Sequence, residues 1–100
     1  MHSKAVTMGR IADVLQARGE QEEALRIWRD EVLPAFQKLR NPQLIAQAQI
    51  RLGFLSFESG QSEEGAKMLV EALQNARRAD DRATVAYLEK LFGIGDESAG

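Results

Sequence analysis

The chain repeats itself with a period of about 40 residues, and this restricts the folds open to it more than any other feature. Gly19 and Gly60 are 41 residues apart, as are Ala24 and Gly65, and Trp28 and Leu69. An acidic pair precedes the small residue both times, as Glu22-Glu23 and Glu63-Glu64. Leu52-Gly53 then returns 40 residues later as Phe92-Gly93. A unit recurring at this spacing is one supersecondary element that cannot bury its apolar face alone, so neighbouring units stack.

Each unit reads as two helices. Met8, Ile11, Ala12 and Leu15 recur at helical spacing over roughly Lys4 to Ala17. Gly19 stops that helix, because glycine tolerates the left-handed backbone. A second helix follows from about Glu20, with the stripe Ala24, Leu25, Trp28, Val32, Phe36 and Leu39. Pro34 falls inside the stripe, and a kink is expected there, since the apolar pattern continues past it. Asn41 and Pro42 suit the cap and first position of a third helix, running to about Glu58. A fourth begins at Ser62, read as an N-cap, with the stripe Met68, Leu69, Ala72, Leu73 and Ala76. A fifth covers 82–92, with Ala83, Val85, Ala86, Leu88, Leu91 and Phe92 as its apolar face. No stretch alternates with period two, so no strands are expected. One domain over 1–92 results, with units at about 4–40 and 42–80, a capping helix at 82–92 and a loose polar tail at 93–100. Small residues have a job here: Ala12 and Gly53, with Ala24 and Gly65 opposite, let the two helices of a unit approach closely.

The residues Ile11-Ala12, Leu15, Gly19, Ala24 and Trp28, and again Leu52-Gly53, Gly60, Gly65, Leu69 and Ala72, resemble the tetratricopeptide repeat family in its long-period form. The resemblance covers most of Thr7 to Gly93. Ser56, Gln49 and Glu31 depart from it, standing where a large aromatic, a Trp and a small residue are usual. The resemblance implies an all-α, right-handed superhelical stack of antiparallel helix pairs: two units and one C-terminal capping helix. It also implies a binding function, with the first helix of each unit lining a concave groove. Carried over by position, the groove holds Val6, Gly9, Arg10, Asp13 and Gln16, then Gln47, Ile50, Arg51, Phe54 and Phe57. The residues expected to contact a partner are Arg10, Asp13, Gln16, Gln47, Arg51 and Phe54. Asp13 would repel a carboxylate at a position where a chaperone-tail clamp needs a Lys or Asn, so that use is rejected. Ser3 to Thr7 read like the middle of an array, and a longer array is expected.

The third helix supports a groove without the resemblance. On a wheel of 100° per residue, Gln47, Arg51 and Glu58 form one narrow polar strip, and almost everything else is apolar. Such a helix is buried on two sides. Each candidate also has a plainer reading. Arg10 and Arg51 grip a carboxylate or are merely solvated. Phe54 and Phe57 anchor a partner or belong to the core, covered by Tyr87, Leu88 and Leu91. Glu22-Glu23 and Glu63-Glu64 look like paired carboxylates, yet their placement in first turns fits helix-end electrostatics.

Composition closes several other routes. Cysteine is absent, and the single histidine, His2, cannot build a histidine-ligated zinc site. A net charge of −2 argues against a sequence-independent grip on nucleic acid. No apolar run reaches the roughly 20 residues that span a bilayer, and no signal peptide is evident, so a cytoplasmic setting is expected. No nucleophile–base pair or phosphate-binding glycine loop appears, so no catalysis and no cofactor are expected. The expected partner is a protein or peptide, not nucleic acid or membrane. The alternative is a self-assembling structural module, forming homodimers or longer stacks through terminal faces that include Tyr87, Leu91 and Ile94.

Overall fold

Gly19, Gly60 and Gly93 take φ of 86°, 82° and 79°, and each closes a helix. In this computed structural model residues 2–93 are described. Helix α1 spans His2–Ala17, α3 Pro42–Glu58, α4 Ser62–Arg78 and α5 Arg82–Phe92. Helix α2 covers 21–39 without interruption, as α-helical Gln21–Ile27, π-helical Trp28–Val32 and α-helical Leu33–Leu39. No strand occurs among the described residues. The all-helical reading therefore holds. Ile94 and the rest of the expected tail beyond Gly93 lie outside the described residues. Ser62 begins α4, but its cap position falls to Gln61, whose side chain makes no capping bond.

The repetition seen in the sequence recurs in the hydrogen bonds. Glu20 N–H donates to the Leu15 carbonyl and Gln61 N–H to that of Ser56. Gly19 N–H reaches Gln16, and Gly60 N–H reaches Phe57. These bonds are 41 residues apart. At the next junction the interval is 40: Arg40 and Asp80 both have φ of 54°, and Asn41 and Asp81 cap the following helices with their side chains. Asp81 accepts from the Thr84 hydroxyl at 2.7 Å and from the Thr84 N–H at 3.3 Å, and these bonds hold its carboxyl below the ordinary aspartate value.

Helix α2 thus holds one residue more than α4, and the π turn accommodates it. Leu33 N–H bonds to the Trp28 carbonyl, five residues back instead of four. Pro34 follows at once. It has no N–H to give, so the helix departs from α geometry one turn ahead of the proline and passes through it. The extra residue also explains Glu31. Past the π turn, Val32, Leu33 and Phe36 match Ala72, Leu73 and Ala76, and all six are buried. Glu31 is exposed, and Val32 takes the buried place expected for it.

Each helix packs on the next along the chain. Helices α3 and α4 run antiparallel and lie closest. A Cβ on Gly65 would fall 2.7 Å from the Gly53 carbonyl oxygen, and one on Gly53 would fall 2.8 Å from Leu69 Cγ. The same places in α1 and α2 hold Ala12 and Ala24, both fully buried. Helix α3 divides the core. Ala48, Leu52 and Leu55 join a cluster with α1 and α2, centred on Trp28, Val32 and Phe36. Ala46, with Ile50 and Phe54, faces Leu69, Leu73 and Leu88 of α4 and α5. Of the apolar face expected on α5, Leu88 is buried and Val85 half-buried; Ala83, Ala86, Leu91 and Phe92 are exposed, because one short helix on one neighbour needs only a narrow stripe.

Gln49, noted only as a departure from the family, ties α3 to α4. It is buried, donates to Glu71 at 3.2 Å and accepts from Asn75 at 3.0 Å. Each buried polar atom of the amide therefore has a partner, which is what makes its burial tolerable.

The close approach at Gly53 and Gly65 predicts a measurable asymmetry. Gly65→Ala gains about 1 kcal/mol of helix propensity but overpacks against backbone, which costs about 1–3 kcal/mol. A net loss of about 1–2 kcal/mol is expected, lowering the melting temperature by about 5–10 °C. A thermal melt of Gly65→Ala that matches wild type would show that the helices can part at no cost.

Candidate functional site

Between α1 and α3 no Cα pair among the described residues comes within 8 Å. The two helices lie over α2 with a slot between them, and α2 forms its floor. Small residues explain the access to that floor. Gly9 is buried, and a Cβ there would fall 3.0 Å from Cη2 of Trp28. In the second unit the equivalent pair is Ile50 and Leu69, where the larger side chain has moved to the first helix.

The slot is a cleft of about 230 Å³. Val6, Arg10 and Asp13 line it from α1, Leu44, Gln47 and Arg51 from α3, and Trp28, Val32 and Phe36 from α2. Four of the six residues expected to contact a partner meet here: Arg10, Asp13, Gln47 and Arg51. Arg51 lies 3.6 Å from Asp13, so one cation of the equivalent pair is partly neutralised across the slot. Arg10 has no ion-pair partner among the described residues. The cleft therefore combines a free guanidinium, a paired one and an apolar floor.

The other two expected residues sit elsewhere. Gln16 donates to Glu58 at 3.4 Å, beside a matching bond from Gln21 at 3.3 Å, at the far end of α1. Phe54 is half-buried and packs against the cluster holding Leu88. Phe57 lies with its ring edge over Gly65 and is exposed at its other edge. Tyr87 and Leu91, expected as a cover for these phenylalanines, are about half exposed. Leu88 alone fills that role.

Trp28 was assigned to the core, and it is 8% exposed. It also lines the cleft, and its indole Nε1–H has no hydrogen-bond partner; nor does the buried Asp13 Oδ1. A pattern that takes groove residues only from the first helix of each unit misses Trp28, Val32 and Phe36. The signal was present as Gly9 and Trp28 together: a glycine within a helix beside the largest side chain marks where the floor shows through.

The acidic pair Glu22-Glu23 is no catalytic dyad in this geometry. Arg26 bonds Glu23 at 2.7 Å and holds its carboxyl below the ordinary glutamate value. Arg77, read as a solvated helix end, pairs with Glu89 on α5 at 3.0 Å. Among the described residues no three His, Cys, Asp or Glu side chains gather as a metal site needs. No helix among them is long and apolar enough to cross a membrane. Comparison with protein-family models, with curated proteins and with solved structures finds no match to this chain.

The unpaired indole has a consequence for stability. Trp28→Phe removes a buried donor that lacks a partner, an unmet group of the kind that costs about 1–3 kcal/mol. The smaller ring leaves a void that costs about 1 kcal/mol. The two offset, so the melting temperature followed by circular dichroism should stay within about 5 °C of wild type. A fall of 15 °C would mean that the indole N–H is satisfied in solution.

Proposed function

We propose that this chain is a protein-interaction scaffold. It holds a peptide or partner domain on the concave face of a right-handed superhelical stack of helix pairs, like the tetratricopeptide repeats it resembles, and its role is binding without catalysis. The observation that carries this reading is the cleft between α1 and α3, where Arg10 stands unpaired beside an apolar floor. A peptide carboxylate satisfies Arg10, and an adjoining apolar side chain covers Trp28 and Phe36. Asp13 holds Arg51 in place and sets which side of the slot accepts negative charge.

The test is a pull-down with wild type and with Arg10→Glu/Arg51→Glu. Both arginines are exposed, so helicity by circular dichroism should not change. A partner held in the cleft should bind the double variant at least about tenfold more weakly. Trp28 is the only tryptophan, so its emission should shift when the cleft fills. Retention of the partner by the double variant, with no change in emission, would remove the cleft from consideration.

A second reading, self-assembly through the terminal helix, has one observation in its favour. Tyr87, Leu91 and Phe92 of α5 are 50%, 47% and 37% exposed. Light scattering at millimolar concentration should then detect a dimer that Leu91→Asp abolishes. A strict monomer at that concentration would count against it.

A further inference from the structure

The outer face of α1 has a counterpart elsewhere in the chain, and that counterpart is covered. Thr7, Ile11 and Val14 stand 41 residues before Ala48, Leu52 and Leu55, the interval at which the turn hydrogen bonds repeat. Leu52 and Leu55 are 2% and 1% exposed, sealed with Ala48 against α2. Ile11 and Val14 are 45% and 52% exposed. The shapes correspond: Ile replaces the isomeric Leu, Val is one methylene smaller than Leu, and Thr replaces Ala. A surface built to the same pattern as a helix-covered one stands open.

The two faces differ in charge. Lys4 stands where α3 has Ile45, and Arg18 where it has Ser59. Both are exposed, and neither has an ion-pair partner among the described residues. The one acidic residue of α1, Asp13, lines the cleft instead. Relative to α3, this face has therefore gained positive charge at each end of its apolar stripe.

The geometry points to the outer face of α1 as a docking surface for an acidic amphipathic helix of a partner protein, seated on α1 as α2 is seated on α3. The charge difference decides against a second copy of this chain as the occupant. Glu22 and Glu23 of α2 sit beside Ser59, so a helix like α2 would bring carboxylates to Arg18. At the other end Gln37 and Arg40 sit beside Ile45, and Arg40 would meet Lys4. The occupant resembles α2 but carries negative charge in its last turn. This surface is separate from the cleft and does not depend on the function proposed for it.

Two labelled peptides test this against the full chain by fluorescence anisotropy: residues 20–40 of this chain, and the same peptide with Gln37→Glu and Arg40→Glu. The acidic peptide should bind about tenfold more tightly than its parent, since a repulsive contact becomes an attractive one. Ile11→Asp or Val14→Asp in the protein should weaken its binding at least about tenfold, and Lys4→Glu several-fold. Arg10→Glu/Arg51→Glu should leave it unchanged, which separates this surface from the cleft. Ile11 and Val14 are exposed, so these variants should melt with wild type. No saturable binding of the acidic peptide, or binding that survives Ile11→Asp, would overturn the proposal. Equal affinity for the two peptides would overturn the acidic occupant. A protein dimer abolished by Val14→Asp in sedimentation would assign the face to a second copy instead.

Discussion

Two glycines facing each other set the geometry on which the second unit depends. The Gly53 carbonyl lies where a Cβ of Gly65 would be 2.7 Å away, inside the contact distance of any side chain. Helices brought this close bury their small residues completely and leave no room between them for large ones. Leu69 and Phe57 therefore lie over the glycines, not between the helices. The approach also brings Gln49 within reach of Glu71 and Asn75, so a buried amide becomes a tie between the helices. With Ala at both places, the first unit has instead Met8 where the second has Gln49.

The π turn in α2 lets two unequal units share one plan. An added residue in a regular helix rotates everything beyond it by about 100°. Val32, Leu33 and Phe36 would then leave the core. Concentrating the excess in Trp28–Val32 returns the helix to register before Phe36. The turn also falls immediately ahead of Pro34, where regular bonding fails in any case. The two irregularities of α2 are thus confined to one stretch.

The slot between α1 and α3 follows from the large side chain that the first unit carries on its second helix. Trp28 needs Gly9 beside it, and the space over Gly9 is part of the cleft. The second unit carries Leu69 and Ile50, and its corresponding space is filled by Phe54 and Leu88. One face of the domain is consequently open at the first unit and closed at the second, and the unpaired charges and polar atoms collect at the open end.

Helix number, order and most boundaries were legible in the sequence. They depend on local chemistry: apolar spacing, left-handed glycines at Gly19 and Gly60, and caps such as Asn41. The close approach at Gly53 and Gly65 was legible too, because small residues recurred at matched places. Four of the six candidate contact residues came together for the same reason, since a helical face is fixed by spacing. What tertiary structure alone decided concerns distances between helices. Gln16 and Phe54 satisfy the same helical spacing, yet Gln16 meets Glu58 and Phe54 meets the cluster of Leu88. Trp28 faces the cleft only because α1 and α3 stand apart over it. The placement of Glu31 turned on how α2 absorbed one residue, a matter of backbone hydrogen bonding that no side-chain pattern records. Local sequence fixes which face a residue occupies, but only packing fixes what that face meets.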